Sequence, residues 1–317
     1  MSDPVGADSV RFTVAAAEAG RIDRVLVARF PGVGRRRWAE LFAAGWVAVN
    51  GARARKGDRV AGGDQVTVRA APSTGSSLAP VPEPDLPLDV LHADARLLGL
   101  AKPAGQPSHP LRPGETGTLA NALVARFPEC AAVGRDPREA GLCHRLDRGT
   151  SGVLLAARDM EAYLAARRAF AAGEVAKRYL ALVAGAARDG ELDATLVQRG
   201  PRSVLARPGD PDALPARTTW RVLCSAGEAS LVEVAAESGR MHQVRAHLAA
   251  AGHPLAGDPL YGGPVMVGGQ AIEQPFLHAR SIALPHPDGG RLAVDAPLPP
   301  ARAETLIALG LALDGAR

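Results

Sequence analysis

The sequence predicts an α+β protein with a small basic N-terminal module, a proline-rich connection and a larger mixed domain. Three observations carry this reading. From Val90 onward, short strand-like runs alternate with amphipathic helical patterns, without a repeat period or a low-complexity tract. Residues 71–87 hold Pro72, Pro80, Pro82, Pro84 and Pro87 with Ser73, Gly75, Ser76 and Ser77 among them, a composition that extends a chain and does not make helix. The first 70 residues carry 12 Lys+Arg against 7 Asp+Glu, whereas the remainder carries 25 against 26. The 317 residues suffice for about two domains, and 47% hydrophobic with 22% charged residues excludes a disordered chain. The expected division is 1–70, a linker at 71–87, and one α+β domain at 88–317.

The N-terminal elements follow from apolar spacing. Ile22, Val25, Leu26 and Phe30 recur at helical intervals until Pro31-Gly32 stops them. A second helix over Arg35–Ala44 puts Trp38, Leu41 and Phe42 on one face. It leaves Arg35, Arg36 and Arg37 at its N-terminal end, where the helix dipole favours anions, a conflict that a bound phosphate resolves. Val47-Ala48-Val49 enters a tight turn at Asn50-Gly51, and Gln65–Val68 forms a last strand after Gly62-Gly63-Asp64. The local excess of cations points to a polyanion, nucleic acid ahead of membrane, or to a merely solvated basic surface.

Several function classes lose their support. The three cysteines, Cys130, Cys143 and Cys224, are far apart and lack C-x-x-C spacing, so neither a disulfide framework nor a thiolate zinc site is indicated. The motifs of zinc deaminases, H-E-x-x-H metalloproteases, P-loop nucleotide hydrolases, dinucleotide-binding folds and G-x-S-x-G hydrolases are absent. Nothing reads as a signal peptide or a membrane span, which makes a cytoplasmic location and no membrane partner the expectation. Cofactor-free carboxylate chemistry remains.

The candidate chemistry lies in His144-Arg145-Leu146-Asp147-Arg148-Gly149-Thr150-Ser151-Gly152, a polar loop feeding an apolar strand from Val153. Arg145 and Arg148 flank Asp147 and favour its carboxylate form. Such a group can be nucleophile, base, metal ligand or structural ion pair, and composition alone favours the ion pair.

This stretch resembles the H-R-L-D-x-x-T-S-G signature of the RluA family of RNA pseudouridine synthases. Further stretches agree in order: Lys102-Pro103-Ala104-Gly105, Ala176-Lys177-Arg178-Tyr179, Ser238-Gly239-Arg240-Met241-His242-Gln243-Val244-Arg245-Ala246-His247-Leu248, Gly252-His253-Pro254-Leu255-Ala256-Gly257-Asp258-Pro259-Leu260-Tyr261-Gly262, and Leu277-His278-Ala279. Gly149, Ser238, Met241 and Val244 depart from the family pattern without removing a reactive group. Residues 20–69 resemble the alpha-L RNA-binding module of the small-subunit ribosomal protein type, with Gly34 where that module often has Ser.

The resemblance implies a mixed, largely antiparallel catalytic sheet behind a small N-terminal α/β module. It makes Asp147 the catalytic aspartate, Arg245 its ion-pair partner and Tyr179 the residue that stacks on the target base or accepts its proton. Lys102, His144, Arg145, Arg148, Thr150, Lys177 and Arg240, with Arg21, Arg35, Arg36 and Arg37 in the module, are the expected RNA contacts. Cys143 is expected to be a small buried residue. The expected enzyme is a monomer that needs no cofactor, metal or nucleotide. Its substrate is structured RNA, large-subunit ribosomal RNA ahead of transfer RNA. A catalytically silent ribosome-assembly protein and a carboxylate glycosidase are the competing readings. The first predicts loss of a catalytic residue, and the second a second acidic group beside Asp147.

Overall fold

The computed structural model describes residues 9–30, 33, 35–69 and 78–311. The chain forms two compact units, Met1–Leu78 and Ala79–Arg317. Among the described residues, no helix is long and apolar enough to cross a membrane.

In the first unit, β1 (Val10–Thr13), β2 (Val47–Val49), β3 (Ala52–Arg53) and β4 (Gln65–Val68) form a sheet in the order β1-β4-β2-β3. Alternation decides its faces: Val66 and Val68 are buried, while Gln65 is exposed. The β2–β3 turn is made by Asn50 and Gly51, both at positive φ, the conformation that tightens a two-residue hairpin. Helices α1 (Ile22–Arg29) and α2 (Arg35–Ala43) contribute Ile22, Leu26, Trp38 and Leu41 to the core. The side chains of Arg35, Arg36 and Arg37 lie outside the described residues, so their expected RNA contacts are not located. Arg21 is exposed and gives its Nε to Asp23 at 3.0 Å.

The second unit is organised by a nine-stranded sheet. Its strands are β5 (Asp89–Ala93), β6 (Leu97–Lys102), β7 (Ser151–Ala157), β8 (Ala176–Ala184), β9 (Gly190–Asp193), β12 (Arg217–Ala226), β13 (Ala229–Ala236), β14 (Leu277–Pro285) and β15 (Arg291–Asp295). A hairpin, β10 (Leu196–Arg199) with β11 (Arg202–Leu205), stands apart. The sheet order is β9-β12-β13-β8-β14-β7-β6-β5, with β15 also on β14. Every pairing is antiparallel except β7 with β14. All seven residues of β7 are buried, as a central strand covered on both faces requires. Helices α3 (Leu119–Arg126), α4 (Met160–Ala172), α5 (Gln243–Ala250) and α6 (Pro300–Ala308) complete the unit.

One expectation needs correction. Residues 79–87, expected as linker, pack onto the second unit: Pro80 is buried, Asn121 Nδ2 donates to Val81 O at 2.7 Å, and Gly117 N donates to Glu83 Oε2 at 2.6 Å. Prolines impose extension, but extended chain can still pack. Helix α5 starts at Gln243, because His242 takes the left-handed conformation at its N-cap.

Candidate active site

The single parallel join sets the site. At its start, β7 runs beside β14 with Ser151 opposite His278 and Gly152 opposite Ala279. Gly152 has φ of 118°, and a Cβ there would lie 2.2 Å from Ala279 O, so only glycine permits this approach. His278 Nε2 donates to Ala296 O at 3.1 Å, which leaves Nδ1 to accept the Ser151 hydroxyl at 2.9 Å. Burial pushes the pKa of His278 down to about 4 and keeps it neutral.

The loop preceding β7 is held at four successive carbonyls. Ser108 Oγ donates to Leu146 O at 2.9 Å, Thr150 N to Asp147 O at 3.0 Å, Gly105 N to Arg148 O at 2.7 Å, and Arg302 Nη2 to Gly149 O at 2.9 Å. Arg302, on α6, also donates to Leu277 O at 2.6 Å and Pro275 O at 2.9 Å. Asp147 thus projects from backbone that cannot relax easily.

Asp147 faces an open cleft lined also by Arg145, Thr150, Tyr179, Arg240, His242 and Arg245. Arg245 Nη1 donates to Asp147 Oδ2 at 3.2 Å. Its other edge is bidentate to Asp258, Nε to Oδ2 at 2.7 Å and Nη2 to Oδ1 at 2.8 Å, and the guanidinium lies 5.0 Å above the Tyr261 ring. Burial opposes the charge of Arg245, but its bonds and proximity to Asp258 and Asp147 outweigh it and raise the pKa. The arginine is therefore a fixed cation touching one carboxylate and anchored by another.

Tyr179 is half-buried on β8, beside a bulge in the pairing with β14 that falls between Arg178 and Tyr179. Burial, and then the Asp147 charge, raise its hydroxyl pKa above the usual range. It enters any reaction as a neutral phenol. Accepting a proton from carbon requires it first to pass its own proton on.

The expected RNA contacts divide into two groups. Arg145 and Arg148 are exposed on the loop, Arg240 is half-buried on the cleft wall with Nε donating to Pro215 O at 3.1 Å, and Thr150 lines the cleft while being 2% exposed. Lys102, Lys177 and His144, expected as RNA contacts, instead bond backbone atoms of the protein. Lys102, 1% exposed, donates to Pro103 O, Gln106 O and Arg148 O at 2.9, 2.7 and 3.2 Å. Burial pushes its pKa down to about 7, yet only the ammonium form has protons for all three carbonyls. Lys177 is buried and donates to Ser238 O at 2.7 Å, tying down the 238–240 loop. His144 Nε2 accepts Leu155 N at 3.0 Å, and burial pushes its pKa down to about 3. It braces the loop against β7 as a neutral ring.

Cys143 is buried, and burial pushes its thiol up to about 12, so it is no second nucleophile. Asp258, His242 and Tyr261 sit inside stretches that the sequence reading quoted but gave no role. A signal existed for Asp258, an acidic residue in a tight Gly257-Asp258-Pro259 turn. Arg302 gave none. Among the described residues, no group of His, Cys, Asp or Glu is arranged to hold a metal ion. Chemically, the cleft offers a fixed carboxylate, a cation that stabilises it, a phenol and two wall arginines. These suit work at an electrophilic sugar carbon next to a polyanionic strand.

Comparison with known proteins agrees with this geometry. The profile of the family described as RNA pseudouridylate synthase matches residues 96–250. Ribosomal large subunit pseudouridine synthase D of Xanthomonas campestris pv. campestris is 35% identical over 310 residues, 94% of this chain and 92% of that protein. An uncharacterized RNA pseudouridine synthase of Chloroflexus aurantiacus is 40% identical over 283 residues, 89% of this chain and 87% of that protein. Among solved structures, Human RNA Pseudouridylate Synthase Domain Containing 4 superposes with a TM-score of 0.58 at 26% identity, covering 70% of this chain and 93% of that one. With the signature loop, the arginine on α5 and the sheet in agreement, the chain belongs to the RluA-type family of RNA pseudouridine synthases, isomerases that convert uridine in RNA to pseudouridine.

Proposed function

We propose that this enzyme isomerises specific uridines of large-subunit ribosomal RNA in the cytoplasm, with Asp147, Arg245 and Tyr179 as its catalytic residues. The observation that carries the site assignment is Arg245 Nη1 on Asp147 Oδ2 at 3.2 Å, at the base of a cleft open to a macromolecular substrate. The substrate class is supported by relatives named for the large ribosomal subunit over nearly their whole length.

In this reading, a uridine is turned out of the RNA at a cost of about a few kcal/mol and enters the cleft. The Asp147 carboxylate acts at the sugar as the glycosidic bond breaks, either bonding to it or stabilising its positive charge. Arg245 keeps the carboxylate aimed. The freed uracil stays against Tyr179, turns, and rejoins through carbon five, whose proton then leaves. Arg145, Arg148 and Arg240 hold the displaced strand. The N-terminal unit, with its basic excess and its likeness to the alpha-L module, adds affinity for structured RNA.

Mapping pseudouridines in the ribosomal and transfer RNA of cells with and without the protein tests the substrate. Loss of specific positions in large-subunit RNA is expected. Loss confined to transfer RNA overturns the assignment.

A further inference from the structure

The His242 imidazole has no part in the chemistry above, yet it lies between the Tyr261 hydroxyl and the Asp147 carboxylate. His242 stands before α5 with φ of 53° and ψ of 23°, a left-handed conformation that residues other than glycine seldom adopt. That backbone places Nε2 3.6 Å from Asp147 Oδ2 and Nδ1 3.1 Å from the Tyr261 hydroxyl. The hydroxyl has one proton, which it donates to Ser203 O at 3.0 Å, while its oxygen accepts Ser203 N at 2.9 Å. Toward His242 it therefore offers a lone pair. With the hydroxyl proton on Ser203 O, Nδ1 donates to that lone pair, and in this tautomer the neutral ring leaves Nε2 a bare acceptor.

The surroundings favour that neutral form. Burial, with Arg245 and Arg145 facing the ring, holds its pKa below the usual histidine range against the opposing charges of Asp147 and Asp258. In that tautomer two acceptors, Nε2 and Oδ2, face each other across 3.6 Å. The arrangement is complete only when a substrate brings a donor.

We propose that His242 is a further catalytic residue, whose Nε2 accepts a hydrogen bond from the 2′-hydroxyl of the target nucleotide and so selects ribose over deoxyribose there. This rests on Asp147 acting at the sugar. A group beside a carboxylate at C1′ meets the substituent on the adjacent carbon, and in RNA that is a hydroxyl donor. The uracil N3–H is separated from the glycosidic bond by the O2 carbonyl and does not compete for this position.

The test is a two-by-two comparison of single-turnover rates. Wild type and His242→Asn are each given an RNA fragment containing the modified uridine, and the same fragment with 2′-deoxyuridine at that one position. Asparagine tolerates the left-handed backbone and can keep the contact to Tyr261 while lacking Nε2. Wild type acting on the all-ribose fragment checks the underlying activity separately. The deoxy penalty is expected to shrink about tenfold in His242→Asn. An equal penalty in both proteins overturns the proposal. Independently of any variant, 15N spectra of histidine-labelled wild-type protein are expected to show Nε2 of His242 unprotonated at neutral pH. A proton on Nε2 overturns it as well.

Discussion

Arg245 is shared between two carboxylates: Nη1 meets Asp147 at 3.2 Å, while Nε and Nη2 are both committed to Asp258 at 2.7 and 2.8 Å. The closer, fully buried pair anchors the guanidinium, and the longer contact is the one that faces the cleft. Asp258 is 1% exposed, so it acts on the reaction only by holding Arg245.

Arg245→Lys is expected to lower kcat about 100-fold while the RNA Kd changes less than about threefold, since an ammonium cannot reach both carboxylates. Asp258→Asn breaks a buried pair and is expected to cost about 3 kcal/mol of stability, with a parallel loss of kcat. Urea denaturation and single-turnover kinetics check these outcomes. An unchanged kcat in both variants contradicts the anchoring role.

Lys102 separates a loop-holding role from an RNA-contacting one. Its three carbonyl acceptors lie around a point charge, which the flat, wider fork of an arginine does not fit. Lys102→Arg is expected to reduce kcat about tenfold without altering the salt dependence of RNA binding. A lowered salt slope with normal kcat restores the RNA contact. Lys102→Met leaves buried carbonyls unpaired and is expected to destabilise the protein by about 3 kcal/mol.

Buried neutral histidines set an acid limit. In the folded protein burial pushes His144 to about 3 and His278 to about 4, below the unfolded value of 6.5. The unfolded chain therefore takes up protons first as pH falls. Stability is lost from about pH 6.5 down towards the folded values, by about 2 kcal/mol per histidine at pH 5. Urea midpoints measured between pH 7.5 and pH 5 check this. His278→Asn is expected to flatten the profile, and a profile equally steep in that variant contradicts its share.

For the N-terminal unit, replacing Arg35, Arg36 and Arg37 by alanine together is expected to weaken RNA binding. The slope of log affinity against log salt should fall by about 2. An unchanged slope means that these cations do not meet phosphate.

Much of this site was legible before any fold was known, because Asp147, Tyr179 and Arg245 each fall in an ordered run of motifs and meet in one cleft. The motif strings gave the chemistry but not the direction of each side chain. Lys102 and Lys177 read as cations for RNA, yet a lysine that binds carbonyls from beneath a loop has the same sequence appearance. Asp258 and His242 stood in quoted stretches without a role, since their partners lie on other segments. Arg302 could not have been foreseen: it is one of 34 arginines, and only the packing of α6 brings it to Gly149, Pro275 and Leu277. The prolines of 79–87 read as linker, but composition cannot say what such a segment packs against.

The most direct test of Asp147 as the residue that acts on uridine is tritium release. Large-subunit ribosomal RNA carrying tritium at uridine carbon five is incubated with wild type and with Asp147→Asn, and tritium in water is counted. Wild type should release it at discrete sites while Asp147→Asn binds the RNA equally well and releases none; release by Asp147→Asn at the wild-type rate, or by neither protein, would contradict that role.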